Sequence, residues 1–321
     1  MEIKEIKTED LNPQEFIEKA MREIQKIVGN EKAITALSGG VDSSVTTVLD
    51  HKALGKNLKV IFVNNGLMRE KEPEQVVLKF ARLGIRVEII DAQGQFFNAL
   101  NGITDPEKKR EAITQTFYKD VFGKYVRKSG AKFLLQGTIL TDIEETVAGI
   151  KRQHNVFEQL GIDPQKTFGY KIIEPLVEIR KDGVRIVAKE LGLPESIWNC
   201  MPFPGPALAA RVIGEITPER IAIVRKATAI VEEELKMEDA FQCMAILHND
   251  RVTGIREGKR EFGLQIEVRC WDSKDARTAT PTRLPDKTVK RLVKRITTEV
   301  PGVVSVTYNV TPKPPSTMEA V

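Results

Sequence analysis

The chain has 321 residues, 41% hydrophobic and 29% charged, with a formal net charge of +4. That length suits two domains with separate cores, no apolar run approaches the length that spans a bilayer, and so small a charge argues against a nucleic-acid groove, which needs a concentrated basic face. Three widely spaced cysteines, Cys200, Cys243 and Cys270, imply neither a disulfide framework nor a Cys-x-x-Cys metal site, and the charged start "MEIKEIKTEDLNPQEF" lacks a signal peptide's apolar stretch; a cytoplasmic protein with no nucleic-acid or membrane partner is expected.

In chain order, strand patterns fall at 33–37 ("AITAL"), 58–63, 86–91 and 132–137. These runs are short, rich in β-branched residues and nearly continuous, as strands buried on both faces are. Between them, 73–83 and 106–129 space apolar residues by three and four, the helical period. Strand alternating with helix predicts right-handed crossovers and a doubly wound parallel α/β sheet covered on both sides. The pattern changes at "NCMPFPGPALAARV", where Pro202, Pro204, Gly205 and Pro206 exclude helix and central strand. A helix over 217–236, alternating strands, a helix over 286–299 and a last strand, "VVSVTYNVT", follow. The basic run "KREFGLQIEVR" at 259–269 reads as part of a solvated strand pair. Segregated strands and helices predict a smaller α+β domain, with domains of 1–199 and 200–321.

The most informative stretch is "ITALSGGVDSSVTTVL" at 34–49. In an open α/β sheet ligands bind at the carboxyl ends of strands, where Ser38, Gly39, Gly40, Val41, Asp42, Ser43 and Ser44 fall. The glycines allow a tight turn and close backbone approach, the serines add hydroxyls, and a helix starting near Ser43 offers free N–H groups to a phosphate-like anion. No lysine follows, unlike the loop ending Gly-Lys-Ser/Thr, so the loop suits a diphosphate that leaves rather than a γ-phosphoryl that is transferred. Asp42 would repel bare phosphates but makes sense beside Mg²⁺.

This loop resembles the pyrophosphate (PP) loop of N-type ATP pyrophosphatases. "FVNNGLMREKE" (62–72), "LNGITDPEKKR" (100–110), "QGTILTDIEET" (136–146), "IKRQHNV" (150–156), "EPLVEIRKDGVR" (174–185), "PFPGPALAARVIGEIT" (202–217) and the tail "VPGVVSVTYNVTPKPPSTME" (300–319) are similar to one family, the ATP-pyrophosphatase portion of GMP synthase. The resemblance implies ATP as substrate with Mg²⁺, adenylation of XMP at its 2-oxygen, and displacement by ammonia to give GMP, AMP and pyrophosphate. It implies a catalytic role for Lys151 in a lid loop and for Asp42. Val63, Gln136, Gly137 and Thr138 would join the loop in binding ATP, and Asp42 and Asp142 are candidate metal ligands. Asp142 and Glu145 read equally as surface carboxylates, and His154 as a polar loop residue. Arg69, Arg211, Arg269, Lys313 and Glu319 would hold the nucleotide acceptor, and the second domain would form a homodimer.

Asn64, Cys200-Met201, His248-Asn249-Asp250 and Arg277 depart from the family pattern on the acceptor side. No cysteine precedes Cys200, so no amidotransferase triad is available and a separate glutamine amidotransferase subunit is expected to supply ammonia. The alternative is a divergent PP-loop enzyme adenylating another purine or carbonyl for nitrogen or sulfur insertion, with Cys200 as a candidate thiol. A third reading is a non-catalytic nucleotide-binding protein.

Overall fold

The computed structural model describes residues 3–147, 169–236, 238, 240–274 and 277–321, without the side chains of 145–147. Strands β1 (Ala33–Ala36), β2 (Leu58–Asn64), β3 (Val87–Asp91), β4 (Phe133–Leu135) and β5 (Lys171–Ile173) form one sheet in the order β3-β2-β1-β4-β5. Every pair is parallel. The order runs outward from β1 in both directions, so the topological switch point lies between β1 and β4, where such sheets bind ligands. The doubly wound α/β architecture is present as the strand–helix alternation required.

The described helices are α1 (Pro13–Val28), α2 (Val41–Leu54), α3 (Glu72–Ala81), α4 (Gln93–Leu100), α5 (Pro106–Gln115), α6 (Gly123–Ser129), α7 (Leu140–Val147), α8 (Lys181–Glu190), α9 (Glu195–Trp198), α10 (Pro218–Glu234) and α11 (Asp286–Glu299). Asn12 caps α1 by accepting the Glu15 N–H, and Pro13 suits the first helical position. Phe16, Ala20, Ile24 and Val28 recur every four residues and form the buried stripe of α1. Ile24 and Val28 pack with Ala33, Leu54, Phe133, Leu135 and Ile173 in one core cluster, which fixes α1 and α2 against the sheet.

Two features depart from the sequence pattern. The "KII" of β5 is too short to show periodicity, and only its pairing with β4 reveals it. The expected helix over 106–129 is broken by a π-helical stretch, Thr116–Phe122. There the Tyr118 carbonyl comes so close that a Cβ at Gly123 would lie 2.5 Å from it, an approach five residues along the chain that only glycine accommodates.

The chain separates into two compact units. The first takes in the described residues of Met1–Asn64, Pro73–Asp91 and Phe117–Cys200, the second those of Asn65–Glu72, Ala92–Thr116 and Met201–Val321. Segments 65–72 and 92–116, which the sequence pattern places within 1–199, therefore pack in the second unit. The reason is specific anchoring: Arg225 donates to the carbonyls of Gly66 and Met68, and Lys109 to that of Val212.

In the second unit β6 (Gln242–Arg256) and β7 (Lys259–Asp272) are antiparallel, and β8 (Thr280–Pro281) and β9 (Val303–Tyr308) share the other side of β7, β9 in parallel. The "KREFGLQIEVR" run is thus part of a strand pair. Thr217 caps α10, and Arg291 and Arg295 of α11 pair with Glu234. Met318 and Ala320 pack against Met244, Ile246, Trp271 and Ala279, so the C-terminal tail is tied down rather than frayed.

Candidate active site

In the first unit, β1 is followed by Leu37, whose N–H donates to the Ile61 carbonyl. Gly39 then turns the chain with φ +86°, a conformation that favours glycine. The helix begins at Val41 with Gly40 as its N-cap, two residues before the expected start, so Asp42 and Ser43 lie in its first turn. Ser38 and Ser43 hydroxyls are 2.8 Å apart, Ser43 Oγ accepts the Ser38 N–H at 3.2 Å, and it donates to the Gly40 carbonyl at 3.1 Å. These bonds close the loop on itself while the opening N–H groups of α2 stay available to an anion.

Gln136, Gly137 and Thr138 follow β4, across the switch point from this loop. Gly137 lies so near the start of α2 that a Cβ on it would meet Asp42 C at 2.8 Å and Ser43 N at 2.9 Å. Thr138 is fully buried and donates to Glu174 at 2.6 Å. Val63 is buried near the end of β2. The loop and the β4 end are therefore brought together in one place.

Asp42 is held by Lys181 Nζ at 2.6 Å from Oδ2. Its Oδ1, and Oε1 of Gln136, are buried without a hydrogen-bond partner among the described residues. A carboxylate oxygen left bare in the first turn of α2, as Asp42 Oδ1 is, fits a hard cation such as Mg²⁺, which takes one or two carboxylates and completes its shell from phosphates and water. No three-residue cluster of His, Cys, Asp or Glu suited to a metal occurs among the described residues. Asp142 Oδ2 accepts the Ile139 N–H at 3.1 Å, at the start of α7. Arg180 grips both oxygens of Glu144. Lys151, His154 and the side chain of Glu145 lie outside the described residues.

The second unit holds the residues expected to bind the acceptor. Arg211 is 1% exposed; its Nε lies 3.3 Å and its Nη2 3.5 Å from the Glu319 carboxylate, and its Nη1 is buried without a partner among the described residues. Gln242 holds the same carboxylate at 2.9 Å and the Pro202 carbonyl at 3.0 Å. Arg69 pairs with Glu72 at 3.0 Å and Glu232 at 3.4 Å. Arg269 Nη1 donates to the tail carbonyl of Thr317 at 2.9 Å, and its Nε to Glu267 at 2.5 Å. Burial would raise the Glu267 carboxyl, but hydrogen bonds from His248, Arg269 and Asn309 outweigh it and hold it at about 2. Lys313 exchanges backbone hydrogen bonds with Ala279, which seats the "KPPSTME" segment on the sheet. Arg277 is exposed, and Cys200 is half-buried at the end of the first unit.

Sequence reasoning did not single out Lys181, Gln242, Glu267 or Phe203. Lys181 stands in "EIRKDGVR" and Phe203 in "PFPGP", so motif membership was the available signal. Gln242 and Glu267 carry no local signal, because their partners lie 77 and 42 residues away at the farthest.

Residues 229–320 match the family model described as GMP synthase C terminal domain, and residues 14–130 the model described as NAD synthase. The chain is 48% identical to a subunit of the glutamine-hydrolyzing GMP synthase of Archaeoglobus fulgidus, over 96% of this chain and 99% of that one. Against the subunits of the same name from Pyrococcus furiosus and Methanocaldococcus jannaschii it is 48% and 45% identical, covering 95% and 96% of this chain and 97% and 99% of theirs.

Proposed function

The chain belongs to the family of these GMP synthase subunits, and on that premise we propose that it is the ATP-pyrophosphatase subunit of a two-subunit GMP synthase, aminating XMP to GMP at the expense of ATP. The observation that carries the reading is the anion cradle at the switch point: the first turn of α2 with Gly137 packed onto it.

A purine carbonyl oxygen is a very poor leaving group. Transfer of AMP to the 2-oxygen of XMP releases pyrophosphate and turns that oxygen into part of a phosphate ester. Ammonia then attacks C2, the C2–O bond breaks, and AMP leaves with the oxygen. The Ser38–Ser44 loop and the α2 N–H groups hold the departing diphosphate. Asp42 Oδ1 and Gln136 Oε1 are the protein atoms that would hold Mg²⁺, which supplies charge neutralisation as pyrophosphate forms. Lys181 keeps Asp42 aimed, and Lys151 supplies a second cation to the phosphates. Arg69, Arg211, Arg269, Lys313 and Glu319 bind XMP. A separate glutamine amidotransferase subunit delivers ammonia, the working form is a homodimer, and the setting is cytoplasmic; no helix of the described residues is long and apolar enough to cross a membrane.

The test is AMP and pyrophosphate release from ATP and Mg²⁺ with XMP, with and without ammonium, alongside Lys151→Ala. GMP formation that depends on XMP and ammonium and is lost in the variant is expected. ATP binding without XMP-dependent AMP release overturns the reading and moves the search to other acceptors.

A further inference from the structure

Phe203 stands in the Pro202–Pro206 turn, and its half-buried ring meets two guanidinium groups at once. The Arg69 guanidinium carbon is 4.4 Å from the ring centroid and that of Arg211 is 4.9 Å. Both distances are within the range at which a cation is attracted to an aromatic face. Two like charges are thereby brought within the sum of those distances, and they repel unless something offsets them.

The carboxylates offset them unevenly. Arg69 has two, Glu72 and Glu232. Among the described residues Arg211 has Glu319 alone, and its Nη1 remains a buried donor with no acceptor there. A buried donor left unsatisfied is costly, and a ligand oxygen placed there would remove the cost.

We propose that Phe203 is a positioning residue for the acceptor nucleotide: its ring holds the Arg69 and Arg211 guanidinium groups at a set spacing, so that Arg211 Nη1 is presented to an anionic oxygen of a nucleoside monophosphate. The proposal rests on the amination reading and adds to it the element that keeps two of the acceptor cations in place. An aliphatic side chain would fill the same space but offer no negative face, so the guanidinium groups would drift apart before the nucleotide arrives.

The experiment is steady-state kinetics of the full chain with XMP varied at saturating ATP and ammonium. Phe203→Leu, Phe203→Tyr and Phe203→Trp are compared with the parent, together with chains carrying mono-, di- and trifluorophenylalanine at 203. Fluorination drains the ring face of negative charge with little change of shape. Phe203→Leu is expected to raise KM for XMP by about tenfold, the loss of two cation–π contacts, with kcat within about twofold and ATP binding unchanged. Tyr and Trp are expected to restore KM to within about threefold, since both keep an aromatic face. KM should climb stepwise with fluorination. A flat fluorination series overturns the proposal, as does Phe203→Tyr behaving like Phe203→Leu. If Phe203→Leu does not fold, the fluorinated series decides alone. Absence of XMP turnover in the parent is failure of the amination reading; normal turnover with a flat series is failure of this proposal only.

Discussion

Replacing Gly137 by alanine tests whether the β4 end and the first turn of α2 are packed as one rigid cradle. The added Cβ would sit 2.8 Å from Asp42 C, 2.9 Å from Ser43 N and 3.0 Å from Asp42 O. Ordinary carbon contacts lie near 3.5–4.0 Å, so the two segments must part by roughly half an ångström or more. All three obstacles are backbone atoms, which no rotamer change can move. Overpacking of this kind costs about 1–3 kcal/mol, and we expect about 2 kcal/mol by urea denaturation. Activity should suffer more than stability, because the displaced atoms are those proposed to face the phosphates. A misplacement of about 1 Å at reacting groups costs on the order of 10²-fold, and kcat/KM for ATP should fall by about that factor. Gly94 is the control: it lies in α4, and an added Cβ there meets nothing within 4 Å. Gly94→Ala should stabilise by about 0.5–1 kcal/mol and leave turnover unchanged. Gly137→Ala with parental stability and parental kcat/KM would refute the rigid cradle.

Lys181→Met should change stability by less than about 1 kcal/mol, since the Asp42 pair is partly open to solvent, yet lower kcat/KM for ATP by about tenfold or more, the worth of a charge-assisted hydrogen bond; steady-state kinetics beside a melting curve checks both. Asp50 is fully buried on α2, with both carboxylate oxygens bare among the described residues, and burial raises its pKa well above the ordinary value. The folded chain then holds a proton that the unfolded chain releases, so stability falls as pH rises above the unfolded pKa. Asp50→Asn should gain about 1–3 kcal/mol at pH 8 and little at pH 4, read from denaturation midpoints at the two pH values. Glu267 behaves oppositely: its carboxyl is held at about 2 against an ordinary 4.5. That stability is present above pH 4.5 and lost as pH falls toward 2. Glu267→Gln should flatten this acid limb, worth at most about 3 kcal/mol, and raise KM for XMP severalfold by freeing Arg269; an unchanged acid limb would count against the network.

Much of this protein was legible before folding because the signals are local. The Ser38–Ser44 loop follows a strand and opens a helix within one short span, and helix capping and backbone N–H geometry follow from neighbours in the chain. The extent of α11 and the start of the last strand were readable from period and turn residues, and Lys313 and Glu319 of the tail were singled out by motif resemblance. The interleaving of segments 65–72 and 92–116 with the second unit could not be read, because it depends on Arg225, Lys109 and Glu232 reaching chain that is 103 to 163 residues distant. Nor could β5, a three-residue strand defined by its neighbour, or the Lys181–Asp42 pair, separated by 139 residues. Periodicity and spacing report what a residue does to its own turn of chain. Which carboxylate a buried arginine meets, and which ring lies beside two of them, is settled only when burial removes water as the alternative partner and leaves the nearest side chain, however remote in sequence, to take its place.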